Sequence, residues 1–422
     1  MDLFSVLQLL LGLSFFLFGM KVMSGNLEKL SGGKLEQLLQ KATSNPFISI
    51  VLGLVITVAV QSSSATTVML VGLVNSGIMQ FSQTLYVIFG ANIGTTLTSW
   101  ILSLSSIDSS NVAIQMLKPE NFSPIIAFIG IIMAMFSKKE HRITIGTIFM
   151  GFAILMYGME FMKNAVSPLA ELPAFSALLV KFNNPLFGVV VGTLFTALIQ
   201  SSAASIAILQ ALSLSGGITF TMAIPIVMGQ NIGTCATSLI SCIGTNTKAK
   251  RVAVVHVMIK IIGTVILLTL FVVLNAIFSF AFANQPVSPV TIAIIHSAYN
   301  VLTTVILLPF TKLLAKLTEK IVSGKKKASD KKDDFMLDER LLLSPSVAIV
   351  ESNNATKRMA TYARESLILA MGLIEKYDAK TIEKVLSLED TIDMYEDKLG
   401  TYLVKLTERE MTAKQNAEVS KF

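Results

Sequence analysis

The stretches AVQSSSATT (59–67) and LIQSSAASI (198–206) lie 139 residues apart, each at the centre of an otherwise apolar segment. Shifting the chain by that interval lays Asn45–Ser99 on Asn184–Ser238 without a gap, and 21 of the 55 paired positions are identical. Chance likeness between membrane helices matches apolar residues with apolar ones. Here the identities fall on polar residues and glycines. QSS recurs at 61–63 and 200–202 and NIGT at 92–95 and 231–234; upstream, Gly12 pairs with Gly151, Gly19 with Gly158, Met20 with Met159 and Met23 with Met162. The chain contains an internal duplication.

Around those motifs the composition is that of a membrane protein. Of 422 residues 53% are hydrophobic and only 14% charged, against about 25% charged in soluble domains. Apolar runs of roughly 20 residues, the length that spans a bilayer as helix, recur through the first three quarters. The first, Leu3 to Met20, has no basic residue before it and no small-residue cleavage site, so it reads as a membrane helix rather than a signal peptide. The net charge of +7 comes from lysines and arginines in short loops beside apolar segments, which points to orientation in a membrane and away from nucleic acid. Cys235 and Cys242, about 10 Å apart along a helix, are too distant for a disulfide.

The sequence predicts an all-α polytopic membrane protein over residues 1–318, with repeat one at 1–139, repeat two at 140–280 and an additional helix at 288–318. A charged linker (319–336) and a cytoplasmic helical module (337–422) follow. Each repeat is expected to hold a spanning helix (3–23, 144–163), an amphipathic interfacial segment (26–41, 165–181), the QSS segment (46–80, 185–219) and a helix carrying NIGT (82–104, 220–243). At about 35 residues with a polar centre, the QSS segments suit re-entrant hairpins whose tips are buried in protein; two short spanning helices joined by a Ser-rich turn are the alternative. With further helices at 122–137, 251–278 and 288–314, all basic clusters (21–41, 138–142, 248–251 and 325–332) share one side. By the positive-inside tendency that side is the cytoplasm. Seven crossings plus two hairpins result, the N-terminus is outside, and the second repeat is inverted relative to the first.

The centre of each repeat is polar without being charged. No Asp, Glu, Lys or Arg occurs in 45–107 or 182–247. Freed N–H groups at a half-helix start favour an anion, whereas carbonyl and hydroxyl oxygens suit Na⁺. Proton-driven carriers place an ionisable group in the path, and none lies in these cores. An anionic substrate is therefore expected to bring cations with it. His256 and His296, each four residues before a polar residue (Lys260, Asn300), read as hydrogen-bonded structural histidines. Lys260, about 14 Å into a helix expected to start at 251, reads as snorkelling to an interface, with a functional charge as the open alternative.

The paired QSS, the following SG (Ser76-Gly77, Ser215-Gly216) and G-x-N-I-G-T resemble the bacterial type II sodium–phosphate cotransporters over roughly residues 1–315. That resemblance implies an inverted-repeat carrier bringing inorganic phosphate inward with Na⁺ as cotransported ion and with no organic cofactor. It assigns substrate binding to Gln61, Ser62, Ser63, Ser64, Gln200, Ser201 and Ser202. Asn92, Thr95, Thr66, Asn231, Thr234 and Ser205 are the sodium-binding candidates. Two departures stand out: Ala203 replaces a hydroxyl in the second copy, and Lys260 follows His256 where related chains tend to carry Asn. A fixed cation there could replace one Na⁺.

The C-terminal part, through Leu337–Arg340 and Ile392–Leu406, resembles an incomplete PhoU-like module, implying a regulatory or oligomer-forming partner surface. Its acidic run (Glu389 to Asp397) is not read as a metal site. The expected location is the bacterial inner membrane and no enzymatic chemistry is expected. Transport of another oxyanion such as sulfate, phosphate export, and phosphate sensing are the rival readings.

Overall fold

Asn45 and Asn184 each begin a helix in the same way. The side-chain carbonyl accepts from the backbone N–H groups two and three residues on (3.0 and 3.3 Å; 3.0 and 3.5 Å), and Pro46 or Pro185 fills the first helical position, where no N–H is needed. The computed structural model describes residues 3–31, 45–77, 79–104, 119–166, 184–323, 337–343, 345–409, 411 and 413–422. Much of the expected interfacial segments (32–44, 167–183) and of the linker (324–336) lies outside them.

From these starts the chain runs through α1 (Leu3–Ser31), α2 (Pro46–Val60), α3 (Ser63–Asn75), α4 (Phe81–Gly94), α5 (Thr96–Ser103), α6 (Pro119–Phe136) and α7 (Glu140–Val166). It continues with α8 (Pro185–Ile199), α9 (Ser202–Ser213), α10 (Phe220–Gly233), α11 (Cys235–Ser241), α12 (Thr247–Phe278), α13 (Pro289–Leu307) and α14 (Thr311–Ile321). The bounds of α2 and α4 recur in α8 and α10 at the 139-residue interval. The NIGT helices are the membrane-length stretches Phe81–Ser103 and Phe220–Ser241, close to the expected 82–104 and 220–243. Each has a turn at its threonine, where Thr95 and Thr234 keep right-handed helical angles and bond their hydroxyls back to the carbonyls of Ala91 and Gln230 (both 3.0 Å). The second ends at Ser241.

Six helical stretches among the described residues are long and apolar enough to cross a membrane. The expected seventh, at 122–137, falls in α6, whose 18 residues reach about 27 Å; its apolar part, Asn121–Phe136, is shorter still.

By contact the described residues divide into two compact units, one of 3–31, 45–71 and those from 80 to 323, the other of 72–77, 79 and those from 337 onward. Backbone-to-backbone packing through glycine organises the first. A β-carbon on Gly12 would meet the Gly158 carbonyl oxygen at 2.8 Å and one on Gly19 the Gly151 oxygen at 2.6 Å, so α1 and α7 lie against each other in antiparallel. Gly90 and Gly229 likewise bring α4 onto α2 and α10 onto α8, where a β-carbon would collide with the Ile50 and Val189 carbonyl oxygens. Phe16, Met23, Leu155, Met159 and Met162 pack with Ala204, Ala207 and Ala211 of α9.

In the second unit α15 (Pro345–Glu375) and α16 (Ala379–Thr407) form a helical hairpin, followed by α17 (Ala413–Val419). Tyr395, Leu399, Tyr402 and Leu406 are its buried stripe on α16, facing Ala348, Ile349 and Ala355. Asp378 caps α16, accepting from Thr381 N and Oγ1 (3.1 and 2.6 Å), and the Thr381 hydroxyl holds its carboxyl below the usual range.

Candidate functional site

Two helix breaks make the site. α2 ends at Gln61 in the left-handed conformation (φ 55°, ψ 24°), and α8 ends at Gln200 with nearly the same angles (φ 57°, ψ 21°). A residue with a β-carbon held there costs of order 1 kcal/mol, and it occurs at the same place in both copies. After each break the chain starts a new helix. Ser62 Oγ accepts from Ala65 N at 3.1 Å and Ser201 Oγ from Ala204 N at 3.2 Å. One N–H of each new first turn is thus satisfied, and the others remain available at the positive end of α3 and α9.

The arms on either side of each break are tied by matched hydroxyl pairs. Thr57 Oγ1 donates to Thr66 Oγ1 at 3.1 Å in the first copy, and Thr196 Oγ1 to Ser205 Oγ at 2.8 Å in the second. All four residues are fully buried or nearly so. These pairs brace the tips from behind.

The two tips meet at one cavity of about 260 Å³. Its wall includes all seven residues expected to bind substrate: Gln61, Ser62, Ser63, Ser64, Gln200, Ser201 and Ser202. Of the sodium-binding candidates only Thr95 reaches it. Thr66 and Ser205 are engaged in the bracing pairs just described. Thr234 bonds back to the backbone, and Asn92 is buried away from the cavity wall. The Asn231 oxygen receives the Lys260 ammonium at 2.9 Å.

Residues not anticipated complete the wall. Thr98, identical with Thr237 in the duplicated pattern, donates from its hydroxyl to Gln61 Oε1 at 3.1 Å, and that recurrence was a signal available in the sequence. Met20, Lys21 and Ser24 come from α1. The uncharged repeat cores are therefore not the whole lining, because Lys21 brings a positive charge to the cavity from outside them.

Lys260 does not snorkel. Asn246 caps α12 and starts it at Thr247, so Lys260 lies about 20 Å along the helix. It is only 3% exposed. Its ammonium donates to Asn300 Oδ1 at 2.7 Å as well as to Asn231. His256 and His296 are the hydrogen-bonded structural residues expected, their Nδ1 atoms lying 3.3 Å from Ser238 Oγ and 2.6 Å from Ser99 Oγ.

A family model described as "Na+/Pi-cotransporter" matches residues 15–164 and 154–284. The chain is 28% identical to an uncharacterised Bacillus subtilis protein, YqeW, over 74% of this chain and 96% of the relative. It is 22% identical to Escherichia coli YjbB, a protein named as a candidate for inorganic phosphate export, over 98% of this chain and 73% of that one. A human relative, sodium-dependent phosphate transport protein 2B, is 36% identical over 104 residues, which are 24% of this chain and 15% of that protein. No solved structure matches.

Proposed function

The chain belongs to the Na+/Pi-cotransporter family, and from that premise we propose that it is a secondary active carrier that moves inorganic phosphate into the cell together with Na⁺, binding both between the two QSS tips. The observation that carries this reading is the shared cavity. Two helix N-termini and a set of hydroxyl and amide groups converge on it from separate copies of one motif, which is what a small oxyanion needs from a protein without a fixed counter-ion in its core. Phosphate offers enough oxygens to engage donors from both tips at once. The carbonyl ends of α2 and α8 and the Thr95 hydroxyl lie at the same place and suit Na⁺. Lys21 at the wall adds an attraction for the anion.

An inverted pair of repeats accounts for further features. Gly12 and Gly19 correspond to Gly151 and Gly158 in the duplication, yet Gly12 touches Gly158 and Gly19 touches Gly151. Equivalent helices in antiparallel contact are what two-fold symmetry in the membrane plane produces. On this reading the QSS segments are re-entrant hairpins, the basic clusters are cytoplasmic, and residues 337–422 form a PhoU-like regulatory module on that side. The carrier function assigns the chain no covalent chemistry.

Radiolabelled phosphate uptake into proteoliposomes, with and without an inward Na⁺ gradient, tests the proposal in wild type and in Ser63→Ala/Ser202→Ala. Concentrative, Na⁺-dependent uptake that falls at least ten-fold in the double variant is expected. Uptake that ignores Na⁺ would refute the coupling. Export is favoured by one observation, the name of the E. coli relative. Loading the vesicles with phosphate and measuring efflux against the same gradients separates the two directions, and sulfate and arsenate competition fixes the oxyanion.

A further inference from the structure

Lys260 lies in the middle of a membrane helix, and the groups that hold it are neutral. The ammonium is held by two amide oxygens, Asn231 Oδ1 at 2.9 Å and Asn300 Oδ1 at 2.7 Å. It lies 5.6 Å from the centroid of the Tyr299 ring, within the range in which an aromatic face attracts a cation. Among the described residues no carboxylate pairs with it. Lysine has donors and no acceptor, so both asparagines must present oxygen to it. Gln230 Oε1, next in sequence to Asn231, is buried without a hydrogen-bond partner. Neutral oxygens converging on a buried monovalent charge are the ligand chemistry of a Na⁺ position.

The duplication says what this charge replaces. Ser99 and Ser238 are equivalent residues at the 139-residue interval. Each is joined to a histidine Nδ1, Ser99 to His296 and Ser238 to His256. Four residues after His296 stands Asn300, and four residues after His256 stands Lys260. Two like arrangements thus carry at matching places a neutral amide in one and an ammonium in the other. Lys260 reaches across to bind the Asn300 amide as well as Asn231 of the NIGT motif on its own side.

We propose that the Lys260 ammonium is a resident cation occupying a monovalent-cation position between α10, α12 and α13, so that this chain binds one Na⁺ fewer than the same framework with an amide at 260. The inference rests on the Na⁺-coupled reading above for its consequence in transport: one fewer Na⁺ accompanies each substrate ion, and the net charge moved per cycle drops accordingly.

The test counts ions on the purified full-length chain. Binding of ²²Na⁺ is measured by equilibrium dialysis for wild type, Lys260→Asn and Lys260→Gln, and phosphate uptake is followed against Na⁺ concentration in proteoliposomes. Lys260→Asn is expected to bind one more Na⁺ per chain than wild type, with a Hill coefficient for Na⁺ higher by about one. An unchanged ion count in a folded neutral variant overturns the inference. If wild type binds no Na⁺, the coupling reading fails; a single Na⁺ gained by Lys260→Asn would then still uphold the role of Lys260, and none gained would end it. Should the neutral variants lose their fold in low Na⁺, recovery of monodisperse protein in high Na⁺, absent in high choline, shows the ion taking the ammonium's place. Variants unfolded in every salt make Lys260 a packing element and overturn the inference.

Discussion

Lys21 shows how a residue's role escapes a linear reading. In sequence it is one of four lysines between positions 21 and 41, and such a cluster beside an apolar run reads as an orientation signal. In the fold it borders the cavity beside Gln61 and Ser63, and among the described residues it forms no ion pair. A partly exposed charge at the mouth of an anion site acts mainly on encounter and binding. Lys21→Ala should therefore raise the KM for phosphate about three- to ten-fold at low ionic strength, less at high salt because exposed charges are screened within roughly 10 Å, and change kcat little. Lys21→Arg should keep near wild-type KM. An unchanged KM in Lys21→Ala at low salt would remove the residue from the site. Six of the seven cavity-wall residues, by contrast, were legible because duplication singles out polar residues that packing alone would not preserve at matched places; Ser64, paired with Ala203, is the exception. The depth of Lys260 was not legible from hydropathy, because Asn246 caps α12 four residues before the apolar run begins at 251 and so carries the ammonium farther from the helix start than the apolar run alone suggests.

Among the elements, α2 with α4 and α8 with α10 set the positions of the tips, and their contact is made of backbone rather than side chains. Helix pairs in a membrane gain little from the hydrophobic effect and rely on close approach through small residues. Gly229 is such a point, since a β-carbon there would collide with the Val189 carbonyl oxygen, whereas one on Gly25 in α1 meets nothing within 4 Å. Gly229→Ala should destabilise the folded chain by about 1–3 kcal/mol or more and lower its midpoint in detergent thermal unfolding. Gly25→Ala should leave the midpoint unchanged or raise it, because alanine is the better helix former by roughly 0.5–1 kcal/mol. Equal effects of the two changes would show that the contact at Gly229 yields. Helix existence was readable from apolar length, and the starts of α2 and α8 from Asn-Pro. The end of α1 at Ser31 and the starts of α7 at Glu140 and α12 at Thr247 lie four to eight residues from those expected, because polar residues continue these helices beyond their apolar runs and hydropathy does not report that.

For the whole molecule the open quantity is topology, and charge makes it measurable. Ser137 lies beside Lys138 and Lys139, and Thr247 beside Lys248 and Lys250; Asn284 lies beyond the far end of α12, whose 32 residues extend about 48 Å, more than enough to cross the hydrocarbon. If positive charge sets orientation, Ser137 and Thr247 share the cytoplasmic side and Asn284 is outside. Single cysteines at these positions, in a Cys242→Ser background that removes the partly exposed thiol, report this directly. A membrane-impermeant maleimide added to intact cells should modify Asn284→Cys alone, and permeabilisation should then admit the other two. Labelling of Ser137→Cys from outside would start α7 outside and, because α1 and α7 are antiparallel through Gly12, Gly19, Gly151 and Gly158, would put the N-terminus inside, overturning the orientation drawn from positive charge. Labelling of Asn284→Cys alone would set the N-terminus outside, and with the antiparallel α1–α7 contact it would agree with the proposed inverted pair of repeats.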